Sequence, residues 1–339
     1  MKRIFLAACL FLAACLSLAS CAAAAQTIPG ETCAGADLVE QMRTGDPRAF
    51  AAYEKDIARI PNLDGLLWRI EKPDTPPSFL FGTLHFDDTD ALALARATED
   101  TVRHSRIVLT ELGDADKSRM QREVLDLVAK DSRRDGGALA IVRDPQELAE
   151  VKKFLGAQKI DVAAADHLPP WLTSMMLALP ACERARAAQG LATVDDTVRD
   201  IAHAANVPVA AIETAAEQLN IFSSLDEKLI ARSLVAAARH PRMIDDGFAT
   251  IVSLYRKKRA GAAISAMERG LGLSAQESRD SEAEVKALSG GRNLIMAARV
   301  KPEIERGGAF IAVGALHLPG KDGLVALLRK AGYTATKVW

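Results

Sequence analysis

Two short apolar runs early in the chain are separated by turn residues and predict paired strands. Residues 66–70 and 78–82 are rich in Leu, Ile, Phe and Trp, residue types that suit a half-buried pleated surface. Residues 72–77, which lie between them, contain three Pro and one Asp and are typical of a turn. The pattern therefore predicts a β-hairpin.

Four further apolar runs predict strands on either side of a long helical middle. These runs are residues 107–112, 207–212, 308–314 and 333–338. Apolar residues recur at helical intervals over residues 117–206, with breaks at Pro145 and at residues 168–170, and again over residues 213–300. Strands near both ends with helices between them predict an α+β fold, with a mixed central sheet and a large helical insertion.

The first residues are typical of an export signal. Two basic residues precede an uncharged apolar run that ends in small residues, as in a secretory signal peptide. Residues 18–21 resemble a bacterial lipobox in which Cys21 would carry the lipid; Cys15 fits the same pattern, and cleavage without lipid near Ala25 is a third alternative. We expect residues 1–21 to be a leader, and the mature protein to be periplasmic or anchored to a membrane through Cys21.

The rest of the chain is long enough for one large domain. Residues 22–60 predict a helical extension, and residues 61–339 are interpreted as one domain because the strands at its two ends look like parts of one sheet. The formal net charge is −1, with acidic and basic residues interspersed. This balance argues against a nucleic-acid partner, which would require a basic surface.

Two cysteines, Cys33 and Cys182, lie beyond the leader. In an exported protein, such a pair favours a disulfide that closes a long loop, and two separate buried thiols are the alternative. The spacing excludes a C-x-x-C redox or zinc motif.

Two of the six histidines share one local pattern. Apolar runs lead into Phe-Gly-Thr-Leu-His, which ends at His85, and into Val-Gly-Ala-Leu-His, which ends at His317. Glycine allows a tight turn or a close backbone approach at a strand end, and the imidazole is then presented at the edge of the sheet. The pattern favours a metal-binding or catalytic pair; the alternative is that each histidine caps a turn and bonds a carbonyl.

The order of these motifs resembles the TraB/GumN family, which includes the Tiki proteins. The stretches that carry the resemblance are LWRIE at 67–71, FLFGTLH at 79–85, LTEL at 109–112, PPWL at 169–172, IET at 212–214, RN at 292–293 and FIAVGALHLPG at 310–320. The resemblance implies a fold shared with erythromycin-esterase-like and haem-uptake proteins. It also implies a divalent-metal-dependent protease site built from two G-x-x-H motifs and a glutamate.

Carried onto this sequence, the resemblance makes His85, His317 and Glu111 the metal ligands, with Mn²⁺, Co²⁺ or Zn²⁺ as the ion. Glu213 is expected to be a further ligand or the general base, and Arg292 to bind a substrate carboxylate or an oxyanion. We expect the ring nitrogens and a carboxylate oxygen to lie within about 4–5 Å of one another.

Each acidic or basic candidate also has a structural alternative. Glu111 could be an ordinary ion-pairing acid, Glu213 could be an acid favoured by a helix N-terminus, and Arg292 could pair with a carboxylate. The two Gly residues before Arg292 depart from the acidic residues expected there, which puts the orientation of its side chain in doubt.

The sequence therefore favours an exported metal-dependent hydrolase, with a peptide or small-molecule substrate. One alternative is a binding module of the same fold that holds haem or a metal without catalysis. The other is a structural protein that has kept the fold and lost the chemistry. Glu111 and Arg292 favour the enzyme, because a haem site requires neither residue.

Overall fold

The computed structural model describes residues 33–131, 137–289 and 291–339. The expected leader and its lipobox at Cys21 lie outside the described residues. The chain divides into two compact units. One, here called the helical unit, contains Asp114–Leu191, Ala215–Phe248 and, among the described residues before them, 33–35; the other, the sheet unit, contains Ala36–Gly113, Ala192–Thr214 and Ala249–Trp339.

The sheet unit contains a mixed sheet of six strands, and each of the six apolar runs supplies one of them. The strands are β1 (Leu67–Glu71), β2 (Ser78–Thr83), β3 (Ile107–Thr110), β4 (Val209–Ala211), β5 (Ala309–Gly314) and β6 (Thr334–Lys337). Their spatial order is β4-β3-β5-β2-β1-β6. The α+β class expected from the sequence is thereby confirmed, as is the hairpin, since β1 and β2 pair antiparallel.

Four neighbouring strands of this sheet run parallel. Strand β5 lies between β2 and β3 and pairs with both, and β3 also pairs with β4. The register sets Thr83 opposite Gly314 and Thr110 opposite Ala312, so the strand ends lie close together. The carboxyl ends of all four strands therefore meet at one edge of the sheet, where ligands gather in such folds.

Helices occupy most of the remaining described chain. Before β4 they are α1 (Leu38–Gly45), α2 (Pro47–Ile57), α3 (Thr89–Arg96), α4 (Glu99–Arg103), α5 (Asp114–Asp131), α6 (Pro145–Ala157), α7 (Val162–Ala165), α8 (Pro170–Leu177), α9 (Ala181–Ala188) and α10 (Val194–Ala204). After β4 they are α11 (Ala215–Ser223), α12 (Glu227–Arg239), α13 (Met243–Arg256), α14 (Ala263–Gly270), α15 (Ala275–Ser289), α16 (Arg292–Arg306) and α17 (Leu324–Lys330). Short 3₁₀ turns cover Ala138–Ile141, Ala260–Ala262 and Ala315–His317.

The sheet unit is held together by burial of its central strands. All residues of β5 from Ala309 to Val313 are fully buried, as expected for a strand that is covered on both faces. The Phe81 ring packs against Phe310 and edge-on against Trp339. The candidate site is built at the ends of these buried strands.

Cys33 and Cys182 form a disulfide within the helical unit. The Cα atoms of Cys33 and Cys182 are 5.3 Å apart, well inside the range that a bridge can span. The expectation of a disulfide is confirmed, and the alternative of two separate thiols is excluded. Over the described residues, every helix is too short or too polar to span a lipid bilayer.

Candidate metal centre

The parallel strands bring four of the predicted site residues to one edge of the sheet. Glu111 follows β3 directly, and His85 and Glu213 each come two residues after a strand end. His317 closes the 3₁₀ turn that follows β5. Residues from four separate parts of the sequence thus meet because their strands share one direction and one sheet.

Three of these side chains closely surround the position that a side chain at Gly314 would occupy. A Cβ atom at this position would lie 3.2 Å from Glu111 Oε1, 3.5 Å from His85 Nε2 and 3.6 Å from His317 Cδ2. The backbone at Gly314 has φ −49°, which any residue can adopt. The absence of a side chain therefore matters here for the room it leaves and not for backbone freedom.

The His317 ring is buried and is oriented by an amide. Its Nδ1 lies 2.6 Å from Asn293 Oδ1, while Nε2 points towards Glu111 Oε1 at 3.7 Å. Burial lowers the pKa of His317, and the nearby Arg292 guanidinium acts in the same direction against the attraction of Glu111. The lowered pKa favours the neutral ring, which is the form that binds a metal.

The His85 ring lies on the open side of the site. Its Nδ1 is 2.7 Å from Asp195 Oδ2, and its side chain is 61% exposed. The Asp195 carboxylate raises the pKa of His85 to about 9, against the opposing effect of desolvation. The pKa of Asp195 is in turn held low: burial raises it, but the charge of His85 and hydrogen bonds from His85 and Thr83 outweigh that effect.

Arg292 connects the two glutamates of the site. Its Nη2 lies 2.6 Å from Glu213 Oε2 and 2.7 Å from Glu111 Oε2, and its Nε lies 2.9 Å from Glu213 Oε1. Glu111 Oε1 accepts a hydrogen bond from the Gly314 amide at 2.7 Å. Burial raises the pKa of Glu111, yet the charges of His85, His317 and Arg292 and the Gly314 amide hold it below its usual value.

The donor set fits a divalent metal with two imidazoles and one carboxylate. Two ligands at bond lengths of roughly 2.1 Å in a tetrahedral arrangement lie about 3.4 Å apart. The separation of 3.7 Å between His317 Nε2 and Glu111 Oε1 is close to this value. Both ring Nδ1 atoms have an acceptor, which leaves Nε2 of each ring for an ion.

The three expected ligand atoms, from His85, His317 and Glu111, lie farther apart than the sequence predicted. Within the described residues, only Cys33, Cys182 and Glu183 place three potential ligand atoms within 4.8 Å of one another, and those sulfurs form the disulfide. The expectation of about 4–5 Å thus holds for Glu111 with His317 and fails for the set that includes His85. The reason is the position of His85 at the exposed rim of the space left by Gly314.

The profile of the TraB/PrgY/gumN family matches residues 66–337. The chain belongs to the TraB/PrgY/gumN family. Comparison with curated proteins finds no match, and comparison with solved structures finds none either. The matched region of this TraB/PrgY/gumN protein contains all six strands and every residue of the candidate site.

Two residues of this TraB/PrgY/gumN protein contact the site histidines but were not predicted from the sequence. Asp195 lies in the first turn of α10, where the capping box formed by Thr193 and Asp196 gives the acidic residues an ordinary explanation. Asn293 stands beside Arg292 in the RN stretch at 292–293, yet a role was expected for Arg292 alone. The aspartate carried no local signal, whereas the asparagine could have been found from its neighbour.

Arg292 has the carboxylate partners that the sequence analysis named as an alternative. Its Nε and Nη2 are directed to Glu213 and Glu111, and Nη1 lies 3.4 Å from the carbonyl of Leu288. His167, another of the six histidines of the chain, lines a cavity of the helical unit together with Arg143 and Lys228.

Proposed function

We propose that this protein is a metal-dependent hydrolase that acts on peptides. One observation carries the proposal: His85 Nε2, Glu111 Oε1 and His317 Cδ2 surround the position that a Cβ at Gly314 would occupy, and His317 Nε2 lies 3.7 Å from Glu111 Oε1. Two imidazoles and one carboxylate are a donor set typical of hydrolytic metal sites, in which further positions stay open for water and substrate.

The chain supplies three binding groups and a charged support. His85, His317 and Glu111 would hold the ion, and a bound divalent metal would polarise a substrate carbonyl and make water more acidic. Arg292 keeps Glu111 ionised and oriented through its contact with Oε2, and Glu213 holds Arg292 in place. We infer that Glu213 serves the site mainly through Arg292, because both of its oxygens face that guanidinium.

Three exposed apolar residues, each within two positions of a site residue in the sequence, support a substrate with apolar side chains. Leu294, Ile295 and Leu316 are exposed by 62%, 46% and 45%, and they are three of the six large apolar side chains that are exposed in the described chain. They adjoin Asn293 and His317, which contact each other. Exposed apolar side chains at a site are typical of a binding surface. We infer that the substrate presents an apolar side chain beside the cleaved bond.

The ligand assignment is tested by metal content and activity. Protein purified without chelator is analysed for bound metal, and a peptide library is incubated with the metal-free protein and with added Mn²⁺, Co²⁺ or Zn²⁺. We expect metal-dependent cleavage that is lost in His85→Ala, His317→Ala and Glu111→Gln. His104→Ala is the matched control, because His104 is exposed and bonds only within its own helix end.

Three results would contradict the assignment. Full activity in His85→Ala or in His317→Ala would remove those ligands from the mechanism. Absence of any metal and any cleavage would leave the hydrolase without support. A Soret band in the absorption spectrum of the purified protein would favour the haem-binding alternative.

The substrate preference has its own test. Peptides that differ only in Leu or Ser beside the cleaved bond are compared in kcat/KM for the wild type and for Leu294→Ser, Ile295→Ser and Leu316→Ser. We expect the preference for Leu to fall in these variants and to persist in Val338→Ser, a control residue that is exposed by 47% and follows the edge strand β6. Equal preference in all variants would contradict the apolar surface.

We propose further that the protein is exported. The Cys33–Cys182 disulfide supports an oxidising compartment, since such bonds are rare in a reducing cytosol. Mass spectrometry of the protein from its host should show a chain that starts at Cys21 with acyl mass, or near Ala25 without it. An intact Met1 on a soluble cytoplasmic form would contradict export.

A further inference from the structure

The two site histidines share a feature that the ligand set does not require: each ring has its Nδ1 bonded to a buried acceptor. The acceptor of His85 is Asp195, and that of His317 is Asn293. Both acceptors are themselves held by other groups. The four residues come from separate segments of the sheet unit, so the symmetry of the arrangement is a product of the fold.

The orientation of the Asn293 amide is set by a backbone carbonyl. Its Nδ2 donates to the carbonyl oxygen of Asp322 at 2.9 Å, which leaves Oδ1 to face the His317 ring. An amide oxygen can only accept a hydrogen bond. Nδ1 of His317 must therefore carry the proton, and in the neutral ring the Nε2 lone pair is free and points towards Glu111.

Asp195 acts on His85 in the same way. Its Oδ1 accepts a hydrogen bond from Thr83 Oγ1 at 2.6 Å, and its Oδ2 faces His85 Nδ1 at 2.7 Å. An ionised carboxylate can only accept, so in the neutral form of His85 it is Nδ1 that carries the proton. Thr83 ends β2 and Asp195 lies in the first turn of α10, so strand and helix together hold the ring.

We propose that Asp195 and Asn293 are positioning residues that hold His85 and His317 in the same Nδ1-protonated tautomer and direct both Nε2 lone pairs into the space beside Gly314. The inference rests on the proposed function for its purpose, since a metal ion needs two unprotonated nitrogens there. Its structural content, the tautomer of each ring, does not depend on activity.

The tautomers are measured directly in metal-free protein. Proton–nitrogen correlation spectra of the ¹⁵N-histidine-labelled mature chain are recorded above the raised pKa of His85, at a pH above about 9, with His85→Ala and His317→Ala for assignment. We expect both rings of the wild type to be protonated at Nδ1 alone. In Asp195→Leu the His85 ring, and in Asn293→Leu the His317 ring, should become a mixture of the two tautomers.

Two further variants make this test specific. Asp200→Leu is the matched control, since Asp200 is an exposed residue of the same helix and the change is identical. Asn293→Asp keeps an acceptor for Nδ1 but loses the donor to the Asp322 carbonyl, so it tests the acceptor alone. We expect wild-type tautomers in both. Unchanged tautomers in Asp195→Leu and Asn293→Leu, with folding verified by circular dichroism, would overturn the proposal; a change in one ring alone would overturn it for the other.

Metal affinity provides a second measurement. Groups that orient a histidine ligand are worth roughly 10- to 100-fold in metal affinity. We expect Co²⁺ titrations to show a loss of that size in Asp195→Leu and Asn293→Leu and no loss in Asp200→Leu. Equal Co²⁺ affinity in all variants would overturn the role in metal binding. A wild type that binds no Co²⁺ would instead overturn the proposed function, and the tautomers alone would then decide this inference.

Discussion

The guanidinium of Arg292 binds the carboxylate of Glu213 through two separate contacts, Nε to Oε1 at 2.9 Å and Nη2 to Oε2 at 2.6 Å. Such a two-pronged contact fixes the plane of the guanidinium. The same Nη2 also reaches Glu111, so one cation supports two buried carboxylates. A lysine could not do this, because its ammonium is a compact point charge and lacks the planar fork.

Removing this cation should destabilise the fold as well as the site. In Arg292→Gln, Glu111 and Glu213 would remain buried together without the guanidinium that bridges them; their side chains are only 8% and 3% exposed. Breaking a buried ion pair costs about 3–5 kcal/mol. We expect a loss of that size in the free energy of unfolding, measured by urea denaturation at neutral pH.

An exposed ion pair offers the comparison. Arg269 pairs with Asp56 where the two side chains are 47% and 28% exposed. Arg269→Gln should cost at most about 1 kcal/mol, because solvent screens such pairs. If Arg292→Gln and Arg269→Gln lowered the free energy of unfolding by the same small amount, the ion pairs of Arg292 would not stabilise the fold as expected.

Filling the space beside Gly314 should block the site and spare the fold. In Gly314→Ala the new methyl group would lie 3.2 Å from Glu111 Oε1 and 3.5 Å from His85 Nε2, against two of the atoms that would hold an ion. The backbone there suits alanine, so we expect near-wild-type thermal stability with a loss of at least about tenfold in Co²⁺ affinity.

Gly156→Ala is the matched control for this substitution. A Cβ at Gly156 meets nothing within 4 Å, and the residue lies within α6. Alanine should stabilise this helix by roughly 0.5–1 kcal/mol and leave metal affinity unchanged. Undiminished Co²⁺ binding in Gly314→Ala would show that the ion, if bound, lies elsewhere.

The His85–Asp195 pair should make the stability of the metal-free protein depend on pH. The pKa of His85 rises from 6.5 to about 9 on folding, so the folded protein holds this proton more tightly than the unfolded chain. The stabilisation is fully present below about pH 6.5 and is lost as the pH rises through about 9. The effect should be small, since the side chain is 61% exposed and solvent screens it.

Denaturation of the wild type and of His85→Ala at pH values on both sides of this window measures the contribution. The difference in unfolding free energy between the two proteins should shrink towards alkaline pH. Metal binding should show the opposite trend, because a proton competes for His85. A pH-independent difference between the two proteins would contradict the pairing.

Loss of the disulfide should weaken the protein strongly. Cys33 and Cys182 are separated by 149 positions, and closure of so long a loop stabilises by about 5 kcal/mol in the chain-entropy account, with about 2–5 kcal/mol measured for native disulfides. We expect the Cys33→Ser, Cys182→Ser double variant to unfold at a clearly lower temperature. A reductant should lower the Tm of the wild type and leave that of the double variant unchanged; an identical Tm for both proteins without reductant would contradict a stabilising bond.

The sequence by itself determined the strands and the two histidines of the site. The apolar runs from residue 78 to 82 and from 308 to 314 are long and continuous enough to be recognised as buried strands, and the Gly-x-x-His pattern follows each of them. The α+β class and the family follow from the same stretches, because the pattern of apolar residues and the order of motifs are properties of the chain itself.

Only the tertiary structure decided what surrounds those histidines. Asp195 is 110 residues from His85 along the chain. It lies in the first turn of a helix, where an acidic residue is common even without a functional site. The function of Gly314 as an open space depends on Glu111, which arrives from another strand. Contacts of this kind depend on sheet order and strand direction, and these are set by packing of the whole unit and not by any local stretch of residues.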